Sequence, residues 1–439
     1  TNGNTSFSQK PAVEAGQKFK KGDILVDGPT CVNGELAIGT NLRVALMFYE
    51  GYNYEDAVII SERVVRDDLL TSVHIREHEV EVKDTELGSE VITADIPHVG
   101  DRILQKLDSS GIVREGVKVK AGDILVGVVA PRGEKELTAE ERLLRAIFGE
   151  SASDVRDNSL RLPHGEEGIV IHTQRLSAEK GDKLAPGVLE QVKVWVADTK
   201  KLGYGDKISG RHGDKNTVSA IRPIEDMPFT EDGKPVDIVL TPTFLKRMNM
   251  GQAEEVHFGQ YAKLLNEKFA FPLFEDINME WFEKEMKKKG FKIEQKVDLY
   301  DGRTGKKFPR KITVGMKYIL KLHHIADEKV HARSTGPYTA VTQQPLSGKA
   351  QRGGQRSGEM EVWALEAHSA PYALQEMLTI KSDDIKGRAS AYKAIIHGEK
   401  IESTNVPESF KVLIKELNAL CLNMELISKK PQEVVENEQ

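Results

Sequence analysis

Short apolar runs cut by glycine-containing turns limit what this chain can fold into. KKGDILVDGP from Lys20, NLRVALMFYEGY from Asn41 and KPVDIVLTP from Lys234 each hold only a few apolar residues before a turn signal. Lys120 opens KAGDILVGVVAP, a near repeat of the first run that marks two similar strand turns and is too short for a solenoid. Runs of this length favour strands. Val73, Ile75, Val80 and Val82 give a period-two strand over 71–83, and QVKVWVADTK from Gln191 gives another. A separate module lies between them. Helices are expected at 53–65, with Asn53 as cap and Glu55 and Asp56 in an acidic first turn, and after a Thr138/Glu141 capping box in TAEERLLRAIFGE. Others are expected at about 250–269 and 279–289, after an N-cap at Ser382, and with Pro407 at a first helical position. The class that follows is α+β, multidomain and β-rich, with a helical C-terminal part and a polar, acidic tail.

At 439 residues with 39% hydrophobic content, the chain can bury a substantial core. That length points to more than one domain or to part of a larger subunit. A formal net charge of −6 disfavours general nucleic-acid binding, because affinity for a phosphate backbone comes from cations that displace its counterions. The local balance differs. Between Asp301 and Arg356 there are twelve Lys or Arg against three Asp or Glu, a basic block inside an acidic chain; taken alone, such a block is as readily a solvated face as a binding surface. Cys31 and Cys421 are far apart and without CxxC spacing, so neither a disulfide framework nor a zinc site is expected, and a reducing, cytoplasmic setting fits. No apolar run reaches the ~18 residues that a membrane span needs, and TNGNTSFSQKP lacks the regions of a signal peptide. The chain starts without Met in what reads as mid-domain sequence, so a fragment or split product is expected.

Between Leu202 and Ser219, LGYGDKISGRHGDKNTVS sets Lys207 and Lys215 around an Arg-His pair with four glycines. Lysine is a compact point charge, and glycine lets backbone approach closely, so the run suits a polyanion, though on its residues alone a surface turn is the better reading. Asp214 beside Lys215 is expected to offset part of its charge. KLHHIADEKVHARSTGPYTAVTQQP, Lys321 to Pro345, is dense in Lys, His and Arg; adjacent His323 and His324 point in different directions and complete no metal site. Glu55 and Asp56 in GYNYEDAVIISE are, on residues alone, more often helix-dipole partners than metal ligands, and Arg247 in FLKRMNMGQ is a surface arginine. Leu143, Leu144, Ile147 and Phe148 form an apolar stripe that means core, or a docking face if exposed.

Together and in this order, these phrases resemble the beta subunit of bacterial multisubunit RNA polymerase, from Asn4 to about Glu425, over roughly the C-terminal half of that subunit. The resemblance implies half of a double-psi β-barrel around Lys207, an inserted flap module and a helical C-terminal clamp region. Its segments would be 1–70 (barrel and active centre), 71–200 (flap, tip helix near 138–149), 201–345 (barrel and hybrid binding), 346–425 (clamp and beta-prime binding) and 426–439 (flexible tail).

It also implies nucleotidyl transfer: the RNA 3′ hydroxyl attacks the α-phosphate of a nucleoside triphosphate and pyrophosphate leaves, with two Mg2+ ions stabilising both oxygens. The catalytic ion would be held mainly by beta-prime. Lys207 and Lys215 would contact RNA and phosphate, Arg247 the triphosphate, and His324 the nucleotide or RNA end. Lys329 and Arg333 would line the RNA, while Glu55 and Asp56 would stand near the second magnesium, through its waters. Leu143, Leu144, Ile147 and Phe148 would dock sigma. Implied partners are the alpha, beta-prime, omega and sigma subunits, the rest of beta, template DNA, RNA and nucleoside triphosphates, in the nucleoid-associated cytoplasm of a bacterium. The alternative is a non-catalytic assembly platform from a split or fragmentary subunit.

Overall fold

The computed structural model describes residues 7–85, 88–97, 99–131, 155–178, 181–271, 279–290, 296–401 and 406–424. They form a mixed α+β chain that divides into two compact units, Thr1–Glu328 and Lys329–Gln439. In chain order, the elements used below are β1 (Gly39–Leu46), β2 (Ala57–Ser61), α1 (Glu62–Arg66), β3 (Ser72–Thr85), β4 (Glu167–Ser177), β5 (Val188–Lys200), β6 (Lys207–Ser209), β7 (Lys215–Arg222) and β8 (Ile238–Leu240). Then come α2 (Phe244–Arg247), α3 (Gly251–Leu265), α4 (Met279–Lys288) and β9 (Thr313–Lys321), and in the second unit α5 (Glu359–Ala367), α6 (Pro371–Leu378), α7 (Ile385–His397) and α8 (Glu408–Ala419).

The continuous apolar runs become strands buried on both faces. In β2, β8 and β1 neighbouring residues point opposite ways: Val58, Ile60, Ile238, Leu240, Leu42 and Val44 pack into one cluster, and Ile59, Val239 and Ala45 into another with Met47, Tyr49 and Met227. With β6, β7 and β9 these strands form a closed barrel in the order β6-β7-β2-β8-β1-β9. Two of its pairs, β7 with β2 and β8 with β1, are parallel. β9 runs antiparallel to β1 over eight residues and closes the ring on β6. Half a barrel was expected; this chain supplies all six strands.

β3, β4 and β5 are the strands of a second, five-stranded sheet edged by Lys118–Lys120 and Gly88–Ser89. One face of it carries Val82, Val170, Val192, Val194 and Val196 into a core with Ile124, Leu125 and Val126. The two strands expected near 71–83 and 191–200 are therefore β3 and β5, paired from Ser72↔Lys200 to Lys83↔Val188.

The helix expected at 53–65 is instead a turn over 53–56, then β2, then the short α1. Four consecutive apolar residues cannot distinguish a buried strand from a buried helix, and here both faces are covered. Only Glu62–Arg66 is helical, capped by Ser61, whose side chain accepts from Arg63 N. Asn53 is fully buried and braces the preceding turn, accepting from Tyr49 N (2.9 Å) and donating to Met47 O (2.7 Å). α3 and α4 stand where helices at 250–269 and 279–289 were expected. The α7 cap is Asp384, not Ser382, and accepts from Gly387 N, with Thr379–Asp383 wound as a π-turn before it. Pro407 is itself the cap of α8, one residue before the helix. The Thr138/Glu141 helix lies outside the described residues.

α3 lies directly on β9 because glycines meet there. A Cβ on Gly315 would stand 1.9 Å from Val256 O, and one on Gly259 2.4 Å from Met316 O. Gly315→Ala is expected to cost about 1–3 kcal/mol as overpacking and to lower the melting temperature. Gly100→Ala, which meets nothing within 4 Å and alters only the N-cap of a four-residue helix, should lower it far less in the same thermal scan.

Candidate phosphate-contacting site

The barrel sets Lys207 and Lys215 on one face of a hairpin. Lys207 pairs with Thr217 and Ser209 with Lys215, so the two lysines are diagonal cross-strand neighbours. Ile208 and Val218 point the other way, into the core. The turn before β6 is fixed by buried Asp206, which accepts from Gly203 N (2.9 Å) and, across 120 residues, from Ala326 N (2.8 Å). That second bond holds the segment after β9 against the hairpin, where Lys207 N donates to His324 O (3.3 Å) and Leu322 N to Lys207 O (2.9 Å). His324 is exposed there.

On the other flank, Thr217 N donates to Asp56 O (2.8 Å) at the start of the parallel β7/β2 pair. The Asp56 carboxylate forks onto Arg247, with Nη1 2.6 Å from Oδ1 and Nη2 3.1 Å from Oδ2, and it raises the guanidinium pKa above its ordinary value. Four predicted residues thus lie in one bonded series: His324 to Lys207, across the strand pair to Thr217, to Asp56, to Arg247. Glu55, next to Asp56, is exposed and has left-handed backbone, φ 55°.

The hairpin tip, Gly210–Asp214, is held from below by the start of α3 and by β9. Glu255 receives Arg211 (Nη2–Oε1 2.5 Å), His212 (Nε2–Oε2 2.8 Å) and Tyr318 N (3.0 Å). Asp214 accepts from Lys317 Nζ (2.6 Å), which also donates to Gln252 Oε1 (3.0 Å). The expectation that Asp214 offsets Lys215 therefore needs correcting: its carboxylate turns inward to Lys317, and exposed Lys215 points off the barrel. Nothing in the linear sequence marks Glu255 and Lys317 as supports of the tip, because Glu255 meets Arg211 and His212 from 44 and 43 residues away and Lys317 meets Asp214 from 103.

Nor is the basic block a uniform surface. Lys317 is buried; Lys321 donates to Ser72 Oγ (3.1 Å) and Lys200 O (2.9 Å), and burial lowers its pKa. Lys307 pairs with Asp298 (2.8 Å). In the second unit, Lys329 is exposed, whereas Arg333 donates to Arg352 O (2.8 Å) and Pro337 O (3.0 Å) and lies over the Tyr338 ring, which Arg388 also covers. Leu143, Leu144, Ile147 and Phe148 lie outside the described residues. Among the described residues no group of three or more His, Cys, Asp or Glu could hold a metal ion, and no helix is long and apolar enough to cross a membrane.

Residues 1–351 match the family RNA polymerase Rpb2, domain 6, and residues 353–429 match RNA polymerase Rpb2, domain 7. The chain belongs to the RNA polymerase Rpb2 family. Over 435 residues it is 56% identical to the DNA-directed RNA polymerase subunit beta of Caldicellulosiruptor bescii, 56% to that of Caldicellulosiruptor saccharolyticus and 55% to that of Acetivibrio thermocellus. Each match covers 99% of this chain and 35% of the relative. This Rpb2-family chain thus spans about a third of the length of the curated relatives it matches.

If Glu255 pins the tip, Glu255→Ala should expose the Arg211 peptide bond. Limited trypsin digestion of the variant is expected to cut after Arg211 faster than in the parent chain, and equal rates would show the tip to be held by Lys317 alone.

Proposed function

We propose that this chain is part of the beta subunit of a DNA-dependent RNA polymerase and contributes phosphate-binding groups to its active centre. The observation that carries the reading is the bonded series from His324 through Lys207, Thr217 and Asp56 to Arg247, which links a lysine, an arginine and an imidazole from three separate stretches of sequence. In template-directed synthesis the RNA 3′ hydroxyl attacks the α-phosphate of a nucleoside triphosphate. Cations that meet the charge developing on the phosphoryl oxygens lower that barrier.

Each residue has a part in this reading. Lys207 and Lys215 hold phosphates at the RNA end, and His324 lies beside them. Arg247 has five N–H donors; Asp56 holds the guanidinium by one hydrogen bond from Nη2 and an ion-pair contact at Nη1 and leaves other donors for the triphosphate. Magnesium, when bound, neutralises the phosphates and polarises the reacting oxygens. With Asp56 committed to Arg247, exposed Glu55 is the carboxylate fitted to meet waters of a nucleotide-borne ion, which suits an outer-shell role. In the second unit, exposed Lys329 is read as an RNA contact in its own right, and Arg333 shapes its own segment through backbone carbonyls.

We read the barrel, with its two parallel pairs, as the double-psi type and the five-stranded sheet as the base of the flap. The segment boundaries stay as proposed from the sequence: active centre to 70, flap to 200, hybrid-binding region to 345 and clamp to 425. Partners on this reading are alpha, beta-prime, omega and sigma, the rest of beta, template DNA and RNA, with sigma docking on Leu143, Leu144, Ile147 and Phe148. The setting is the bacterial cytoplasm.

In polymerase assembled with this chain, Arg247→Ala should lower kcat/KM for nucleoside triphosphate roughly 10- to 100-fold, the loss of one charge-assisted contact, chiefly through KM. Lys207→Ala should slow single-nucleotide extension of a scaffolded RNA by a comparable factor. Wild-type extension by both variants, at equal assembly, would leave only the platform reading.

A further inference from the structure

Lys317 is an unexpected residue to find at 0% side-chain exposure inside a barrel wall, because an ammonium leaves water only when it is paired. It lies opposite Leu42 in the β9/β1 pair, on the face that also carries Ile319. Its partner Asp214 is 7% exposed. Gln252, at the start of α3, accepts a second hydrogen bond from the ammonium through Oε1. Gly210 leaves room for the pair, since a Cβ there would stand 2.7 Å from both Asp214 Oδ1 and Lys317 Cε. Asp214 immediately precedes β7, in which alternation sends Val218 into the core and Lys215 out. The Asp214 carboxylate is meanwhile drawn inward to Lys317. Released, the same carboxylate is the nearest anion in sequence to the Lys215 ammonium.

We propose that Lys317 is a positioning residue that keeps the Asp214 carboxylate turned away from Lys215, leaving the Lys215 charge free for phosphate. This rests on the reading of Lys215 as a phosphate contact. Lys317 touches no substrate; it acts through Asp214. Without the buried ammonium, Asp214 has no compensated position inside the barrel and turns out to water, where it neutralises Lys215 and repels an incoming phosphate.

The test measures kcat and KM for single-nucleotide extension of an RNA annealed to template DNA, in polymerase assembled from this chain, the rest of beta and the partner subunits. Lys317→Met should slow extension by roughly tenfold, the effect of losing one charge-assisted contact. Adding Asp214→Asn to Lys317→Met removes the misdirected carboxylate and should restore the rate to within about twofold of wild type, since replacing both members of a buried ion pair is often neutral. In a Lys215→Ala background, Lys317→Met should cause no further loss.

A double variant as slow as Lys317→Met, or losses from Lys317→Met and Lys215→Ala that multiply, would overturn the proposal while leaving Lys215 as a phosphate contact. Unchanged extension by Lys215→Ala alone would instead overturn the phosphate reading, and the proposal with it. If Lys317→Met fails to assemble, Lys317→Gln takes its place, with the same expected rescue by Asp214→Asn and the same overturning outcomes.

Discussion

Closure of the barrel by β9 is the constraint on which the rest depends. One strand, Thr313–Lys321, pairs with β1 along eight residues and with β6 at its end. Through it, segments more than two hundred residues apart share one hydrogen-bonded ring. Its C-terminal end delivers His324 to Lys207, its middle sends Lys317 under the hairpin tip, and its bare glycine lets α3 lie close enough for Glu255 and Gln252 to reach Arg211, His212 and Lys317. Phosphate-contacting groups must be held within a fraction of an ångström to act together, and strands do this better than loops.

Two kinds of cation share this barrel. Lys207, Lys215 and Arg247 keep some exposure and are oriented by backbone pairing or by a carboxylate fork. Lys317 and Lys321 are turned inward and act as ties, one to a buried carboxylate and the other to the hydroxyl that opens β3 and the carbonyl that ends β5. Net charge over a stretch of sequence counts both alike. Which lysines can meet a polyanion is decided by which strand face they occupy.

Much of the architecture was legible from pattern. The two long strands at 71–83 and 191–200 announced themselves by alternation, because one face of their sheet is core and the other is not. α3 and α4 were placed to within a few residues. The barrel strands were harder: buried on both faces, Ala57–Ile60 loses the alternation that distinguishes strand from helix, and was read as helix. The repeated Gly-Asp-Ile-Leu-Val phrase shows the same limit, since Ile124, Leu125 and Val126 are core while Ile24, Leu25 and Val26 are exposed; burial came from the neighbours each copy meets. The candidate contacts at 207, 215, 247 and 324 were readable through the resemblance, but Asp206, Asp214, Glu255 and Lys317 acquire meaning only through contacts across the fold.

The central claim is that this face of the barrel meets the phosphates at the growing RNA end. It is tested most directly by placing a short-reach photoreactive or aldehyde-bearing nucleotide at the RNA 3′ end in an assembled elongation complex and mapping the crosslinked residue by mass spectrometry. The account predicts attachment to Lys207, Lys215 or His324. Crosslinks confined to β3, β4 and β5, or absent from this chain while present on its partner subunits, would contradict it.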